Sequence, residues 1–353
     1  MNDYNKCGDC LKVDEITSIL RTVAPEMVSV LEERYNILKV VSYLQPIGRR
    51  GLSLKLNITE RIIRKEANTL KNQGLLEFSL DGMRLTVQGE SALRMLNMFF
   101  NDLKGIKGLE EKIAEKLNIR KVIIAPYSEE DEELTLKEIG KVGAEYLSKI
   151  LKDGSKIGIT GGSSVHSIIE AYRKEKTPLV NSLVIPARGG LGTITEYQAN
   201  SLVEKLAMKT GSEYKMLYTP DFLSQTTIDS LMDEPDIKEI VEILDQLDIL
   251  VFGIGRSSRM AKRRSLKEEE IGTILKKGAV SEAFGYYFNQ TGDIVHEIST
   301  IGIKLEKFKK MDNLIAVAGG VDKAEAIISI CKLNPNLVLV TDERVARIIM
   351  NDL

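Results

Sequence analysis

One segment of the sequence has the residue types of a phosphate-binding loop. An apolar run, Ile157–Thr160, leads into Gly161-Gly162-Ser163-Ser164, and a helical pattern follows. Glycines let a ligand approach the backbone closely, and the free amides and dipole of a first helical turn favour negative charge. The patterns of the P-loop and of dinucleotide-binding loops are both missing after this run. Taken alone, the segment indicates either a phosphate cradle or a plain turn.

Three further apolar runs end in glycine-rich segments that carry basic residues. Arg188 lies within Pro186–Gly192, Lys262-Arg263-Arg264 follows Gly253-Ile254-Gly255, and Lys323 follows Gly319-Gly320. In an open α/β sheet the ligand crevice lies at the carboxyl ends of the strands, where such loops meet. Several cations around one crevice suit a ligand with more than one phosphate. The four loops together therefore predict a phosphorylated small molecule as the ligand.

Candidate acid–base groups near these loops are few. Glu282 is the best candidate for a catalytic base, but one carboxylate can equally bind a sugar hydroxyl. We expect structural roles for His166 and His296. Cys7 and Cys10 have metal or redox spacing without a second pair, so we expect neither a metal site nor a cofactor. The residues favour binding over catalysis, with an active sugar-phosphate isomerase or deaminase as the alternative.

A predicted helix over Glu60–Asn72 has one apolar and one basic face. Its apolar positions recur at the spacing that packing against a core requires. The opposite face carries four polar side chains at positions i, i+3, i+4 and i+7: Arg61, Arg64, Lys65 and Asn68. Arg and Lys can reach phosphates or guanine edges, and Asn can pair with adenine. For an isolated helix a solvated surface would be the simpler interpretation.

The neighbouring segments favour DNA binding instead. A helix from Pro25 to the stop at 45–48 and a short helix near 50–56 come first, and a hairpin around Asp81-Gly82 follows. Three helices and a hairpin in this order are typical of a winged helix-turn-helix domain. We expect further DNA contacts from residues before the basic helix and in the wing: Arg49, Arg50, Thr59 (also the predicted N-cap) and Arg84.

The rest of the chain has the alternating pattern of an α/β domain. Seven apolar runs alternate with helical stretches and predict a mainly parallel, Rossmann-like sheet with helices on both faces. The runs are 122–125, 157–160, 183–186, 215–218, 249–253, 314–318 and 337–340. A hairpin over 283–296 interrupts them near the end. We predict a DNA-binding domain over 25–88, a helical connector over 89–117 and a ligand domain over 118–353.

Composition excludes several classes of protein. The 353 residues carry a formal net charge of -2, so any nucleic-acid surface must be local. No run of 18 apolar residues could cross a membrane, and the first residues lack the pattern of a secretory signal. We therefore expect a cytoplasmic protein without a membrane partner.

Several long motifs resemble the sorbitol-operon-regulator (SorC) family of bacterial transcriptional regulators. The resemblance covers nearly the whole chain from about Pro25 onwards. It rests on five segments: Leu44–Arg50, Val184–Gly192, Ala261–Arg264, Ser281–Asn289 and Ala316–Gly320. It implies a winged helix-turn-helix domain joined to an effector domain similar to sugar-phosphate isomerases and deaminases, without their catalysis.

Within this family, the motifs are most similar to those of regulators of glycolytic operons. That similarity implies repression relieved by fructose 1,6-bisphosphate; a regulator that answers to another phosphorylated sugar is the alternative. In the family a Gly-Gly-Thr-Thr cradle holds one phosphate, and here Ser163 and Ser164 keep the hydroxyls. Lys323 would join that phosphate, and Glu282 would bind a sugar hydroxyl. The second phosphate would be held by Arg188, Gln198 and Arg263. The partners implied are an operator in double-stranded DNA and further copies of the chain, as a dimer or a tetramer on DNA.

Overall fold

The chain folds into two compact units. The computed structural model describes residues 20, 22–126, 132–174, 177–191 and 194–352, and the two units divide between Gly108 and Leu109. This division falls inside the helical connector that the sequence predicts. Cys7 and Cys10 lie outside the described residues. None of the helices in the described part of the chain is both long and apolar enough to cross a bilayer.

The first unit contains the predicted three helices and hairpin. Its elements are α1 (Pro25–Leu44), α2 (Arg49–Leu56), α3 (Glu60–Asn72), β1 (Leu76–Ser79), β2 (Gly82–Leu85) and α4 (Val87–Leu103). Helix α1 begins on Pro25, where a missing backbone N–H costs nothing. Helix α3 is followed by Gly74 with a φ of 74°, a conformation that favours glycine. The winged helix-turn-helix arrangement is confirmed.

Helix α3 is held against α1 by a partly buried ion pair as well as by apolar packing. Its apolar face is buried, with Ile63 and Ala67 at 0% exposure. Glu66, on the same side, accepts a hydrogen bond from Nε of Arg34 in α1 at 2.9 Å. This bond holds the pKa of the Glu66 carboxyl below its ordinary value. The pair helps to fix which face of α3 remains exposed.

The second unit contains two sheets. Its strands are β3 (Lys121–Ala125), β4 (Lys156–Ile159), β5 (Leu183–Pro186), β6 (Glu213–Tyr214), β7 (Ile249–Gly253), β8 (Gly255–Arg256), β9 (Ser281–Ala283), β10 (Tyr286–Phe288), β11 (Ile294–Glu297), β12 (Asn313–Val317) and β13 (Leu337–Asp342). Seven of them form a parallel sheet in the order β3-β13-β12-β7-β4-β5-β6. From β4 the chain proceeds to β5 and β6 on one side and returns to β7 on the other. The topological switch point, where α/β sheets bind ligands, therefore lies between β4 and β7.

Helices and loops bury both faces of the parallel sheet. The helices are α5 (Ile106–Leu117, spanning the division), α6 (Glu132–Ile150), α7 (Ser163–Ala171), α8 (Ala199–Thr210), α9 (Gln225–Leu231), α10 (Pro235–Leu244), α11 (Ser257–Arg263), α12 (Glu268–Lys276), α13 (Leu305–Phe308), α14 (Ala324–Cys331) and α15 (Glu343–Asp352). On one face Val251 packs in a core with residues of α6, α7 and α8. On the other face the ring of Phe252 lies 4.9 Å from that of Phe284 and 5.4 Å from that of Phe308. The predicted α/β architecture is confirmed.

The antiparallel sheet is larger than predicted. Strands β10 and β11 form the expected hairpin, and β9 and β8 extend it in the order β11-β10-β9-β8. Strands of two and three residues are too short to produce a recognisable pattern in sequence. This sheet carries Glu282 on β9 towards the loops of the parallel sheet.

One predicted strand is wrong. The sequence predicts a strand over 215–218, but the edge strand β6 ends at Tyr214. Just beyond it, the Asn200 amide donates to the Leu217 carbonyl and accepts from the Leu217 N–H, both at 3.1 Å. Because a side chain satisfies these backbone groups, the segment can leave the sheet, and Tyr218 is 82% exposed.

Candidate functional site

The loops at the carboxyl ends of the parallel strands line one pocket in the second unit. It lies at the switch point, where the loops after β4 and β7 meet. All nine residues predicted to bind the ligand line it: Gly161, Gly162, Ser163, Ser164, Arg188, Gln198, Arg263, Glu282 and Lys323. The pocket encloses about 170 Å³. A single water needs only about 10–15 Å³, so a ligand of sugar-phosphate size can enter.

The segment Gly161–Ser164, predicted to be a phosphate cradle, forms a tight turn from β4 into α7. Gly162 has a φ of 128°, in the region that favours glycine. The first helical bond of α7 runs from the amide of His166 to the carbonyl of Gly162 at 2.9 Å. The three amides before His166 thus have no partner within the helix and can donate to an anion. The hydroxyl of Thr160 accepts from the Gly253 amide at 3.3 Å and so links the ends of β4 and β7.

Replacing Gly161 by alanine is expected to weaken phosphate binding more than tenfold. A Cβ there would lie 2.6 Å from the carbonyl oxygen of Tyr197, so the cradle or the neighbouring loop must shift. Titration of the purified protein with inorganic phosphate, followed by calorimetry, measures the effect. Gly272→Ala in α12 is the matched control, since its added Cβ meets nothing within 4 Å. Equal phosphate affinity in the two variants would contradict the cradle assignment.

Four charged side chains form a buried cluster at the pocket, here called the buried quartet: Arg188, Asp221, Arg264 and Glu282. Oε1 of Glu282 accepts from Nη1 of Arg188 and Nη2 of Arg264, both at 2.8 Å. Oδ2 of Asp221 accepts from Nη2 of Arg188 at 3.1 Å and from Nε of Arg264 at 2.8 Å. Nε of Arg188 also contacts Oδ1 of Asp221. Two cations and two anions thus compensate one another within the cluster.

The quartet keeps Glu282 ionised. Burial raises the pKa of this carboxyl, but the charges of Arg264 and Arg188 outweigh burial, and the pKa lies below its ordinary value of 4.5. Oε1 also accepts from the Gly285 amide at 2.8 Å. Oε2 accepts no hydrogen bond from any residue the structure describes, so it is the oxygen available to a ligand hydroxyl.

The quartet gives Arg188 a role that sequence reasoning did not anticipate. The guanidinium predicted to hold a phosphate is already bonded to two carboxylates, and its side chain is only 10% exposed. Sequence reasoning also missed Arg264 and Asp221. Arg264 lies in the basic segment Lys262–Arg264, and unlike its neighbour Arg263, which is exposed, its side chain points into the protein. Asp221 follows the wrongly predicted strand, and no sequence pattern indicates it.

Gln198 and Arg263 meet at the loop after β5. The Gln198 amide accepts from the Leu191 N–H at 3.0 Å and donates to the Leu191 carbonyl at 2.9 Å. Nη2 of Arg263 lies 3.3 Å from the same carbonyl oxygen. Arg263 is exposed and has no carboxylate within 4 Å among the described residues. A phosphate on this side of the pocket can therefore bind Arg263 without breaking an ion pair.

The predicted DNA-contact residues lie on the surface of the first unit. The residues of α3 opposite its buried face are exposed, as are those at the start of α2 and before α3: Arg61, Arg64, Lys65, Asn68, Arg49, Arg50 and Thr59. Arg84 in the wing is half-buried. Thr59 is the N-cap residue of α3, but its side chain makes no capping hydrogen bond. The hydroxyl predicted to cap is thus free for another partner.

Comparison with known proteins gives matches to both units. A family model described as "CggR N-terminal DNA binding domain" matches residues 30–100, and one described as "Putative sugar-binding domain" matches residues 101–351. The chain is 34% identical over 340 residues to the central glycolytic genes regulator of Bacillus subtilis, covering 96% of this chain and 100% of the relative. It is also 25% identical over 224 residues to the deoxyribonucleoside regulator of the same organism, covering 61% of this chain and 71% of the relative.

Solved structures have the same fold. A SorC family transcriptional regulator from Enterococcus faecalis aligns with a TM-score of 0.64 at 33% identity, over 69% of this chain and 99% of that one. The full-length sorbitol operon regulator of Klebsiella pneumoniae aligns with a TM-score of 0.66 at 20% identity, over 87% of this chain and 94% of that one. The second alignment extends beyond the sugar-binding unit.

Proposed function

Because this chain belongs to the SorC-type family of sugar-binding transcriptional regulators, in the group of the central glycolytic genes regulators, we propose that it represses a glycolytic operon and that fructose 1,6-bisphosphate relieves the repression. The pocket is the observation that best supports this proposal. The nine residues that the sequence motifs and the family resemblance assign to the ligand come from separate parts of the chain, and all of them line a single cavity. The repressor would act as a homo-oligomer in the cytoplasm, with α3 in the major groove of its operator.

The charges of the pocket support a ligand with two phosphates. The exposed Arg263 would bind one phosphate, and the cradle together with Lys323 would bind the other. Oε2 of Glu282 would accept from a sugar hydroxyl. A phosphomonoester carries about 1.5–2 negative charges at neutral pH, and two such groups match cations at separate places in the pocket better than one group does.

The geometry supports binding rather than catalysis. A general base works best with a pKa near the operating pH, whereas the arginines hold the pKa of Glu282 below its ordinary value. Neither His166 nor His296 is among the residues that line the pocket. Turnover of a sugar phosphate that disappears on Glu282→Gln would favour the isomerase or deaminase alternative instead.

The function is tested by binding of the full-length protein to the promoter region of the host's own glycolytic operon. Salt is held fixed, because phosphate contacts make DNA affinity strongly salt-dependent. We expect specific binding that weakens, or loses cooperativity, when fructose 1,6-bisphosphate is added. The effector must bind the DNA-competent and incompetent states with different affinities, or it shifts nothing.

The two other outcomes of this experiment would contradict different parts of the proposal. Specific binding that ignores the bisphosphate would keep the regulator and reject this effector, and other phosphorylated sugars would be screened next. No specific binding to that promoter would reject the proposed operon.

A further inference from the structure

Helix α11 presents a row of arginines to the pocket. Arg256, immediately before the helix, and then Arg259, Met260 and Arg263 all line the pocket, at positions i, i+3, i+4 and i+7 of one face. The helix is fixed in this orientation by buried Ser257, whose hydroxyl donates to the Ala279 carbonyl at 2.6 Å. The row is therefore a built feature of the pocket wall.

Most of the cations around the pocket have carboxylate partners. Arg188 and Arg264 are compensated within the buried quartet, and Nη1 of Arg256 lies 3.3 Å from Oδ2 of Asp322. Six cations line the pocket in all. Within the described part of the chain, three of them have no carboxylate within 4 Å: Arg259, Arg263 and Lys323. An anionic ligand in the pocket would compensate these positive charges.

Two of these three cations act on each other. Lys323 follows Gly320 in the loop after β12 and is half-buried in the pocket wall, and this partial burial lowers the pKa of its ammonium group. The start of α11 lies close to Lys323, because Arg256 reaches Asp322, the residue immediately before Lys323. The carboxylates of Asp322 and Asp342 raise the pKa of Lys323, whereas the charge of Arg259 lowers it. Two positive charges that approach each other in a partly desolvated site are unfavourable unless an anion joins them.

We propose that Arg259 is a second cation for the phosphate in the Gly161–Ser164 cradle, binding it together with Lys323. Neither the sequence motifs nor the resemblance assigns Arg259 a role. Arg263, with its contact at Leu191, then serves the other phosphate. With two cations and the free amides of α7, the cradle selects a phosphate dianion over a singly charged group such as a carboxylate. The inference rests on the proposed function only in needing an anion in this pocket.

The test uses full-length protein and two probes, inorganic phosphate and fructose 1,6-bisphosphate, titrated by calorimetry. Arg259→Gln is expected to weaken binding of both probes by about tenfold to a hundredfold, the usual effect of losing a charged hydrogen bond. Lys262→Gln is the matched control, since it removes the same charge from an exposed position of the same helix that does not line the pocket. It should change affinity less than twofold.

A double-mutant cycle locates the phosphate concerned. The effect of Arg259→Gln on bisphosphate binding should shrink in a Lys323→Gln background and should persist in an Arg263→Gln background. The reverse pattern, or equal affinities for Arg259→Gln and Lys262→Gln, would overturn the assignment. Wild-type protein that binds phosphate but not the bisphosphate would reject the proposed effector while the phosphate titrations still decide on Arg259. Wild-type protein that binds neither would reject both.

Discussion

Replacing Arg264 by methionine is expected to lower the free energy of unfolding by about 3–5 kcal/mol, the usual cost of removing one partner from a buried ion pair. The side chain of Arg264 is 0% exposed and bonds Asp221 and Glu282. Its removal leaves two buried carboxylates with only one guanidinium between them. Chemical denaturation at neutral pH measures the loss.

Two comparisons separate this effect from a general loss of charge. Lys262→Met, two residues earlier in the chain and exposed, should change stability by less than about 0.5 kcal/mol. Adding Asp221→Asn to Arg264→Met leaves one balanced pair, Arg188 with Glu282, so the double variant should recover part of the loss. If Arg264→Met were no less stable than Lys262→Met, the quartet would not contribute to folding as described.

The Arg264→Met variant should also unfold at a higher pH than the wild type when the protein is acidified. Because the pKa of Glu282 lies below its ordinary value of 4.5, its ionised form stabilises the fold above that value. The stabilisation is lost as the pH falls through the lower folded pKa. Arg264 is the largest of the charges that lower this pKa. Without it the folded pKa rises, and on acidification the variant should begin to unfold at a higher pH than the wild type.

The fold was predictable from the sequence where local pattern and tertiary packing agree. Helix α3 was predicted at its observed bounds because its apolar face, capping position and C-terminal glycine all indicate the same element. The edge strand was predicted over 215–218 and lies instead at Glu213–Tyr214, since the side chain of Asn200 satisfies the backbone groups of Leu217. A hydrogen bond from a side chain that is distant in sequence leaves no periodic pattern in the sequence.

The sequence predicted which residues line the pocket but not which cations there form ion pairs with carboxylates. Glycine-rich strand ends and their cations identify the pocket, because parallel strands bring these loops together. A cation pairs with a carboxylate only if side chains from separate segments of the chain point towards each other, and the sequence does not show these directions. Arg188 and Arg263 look alike in sequence, yet one is locked in the quartet and the other is exposed. The free cations of the pocket could be identified only from the folded chain.

Replacing Arg64 by alanine is expected to weaken binding to the operator by about tenfold to a hundredfold, since a good contact between Arg and guanine is worth about 1–3 kcal/mol. Arg64 is exposed on α3, on the face opposite the buried Ile63 and Ala67. The ion pair between Glu66 and Arg34 lies on the buried side, so the substitution leaves the orientation of the helix intact. Titration of a labelled operator fragment at several salt concentrations measures the effect.

The salt dependence distinguishes a base contact from a phosphate contact. If Arg64 reads a base, affinity for the operator should fall while affinity for unrelated DNA changes little. If it contacts a phosphate, affinity for both should fall and the slope of log affinity against log salt should decrease by about 0.9. Arg94→Ala is the matched control, because this arginine of α4 carries the same charge, is half-exposed and lies 4.0 Å from Glu90. Unchanged operator affinity in Arg64→Ala would contradict the proposal that α3 lies in the major groove. The exposed arginines of α2 would then be the next candidates for the DNA contact.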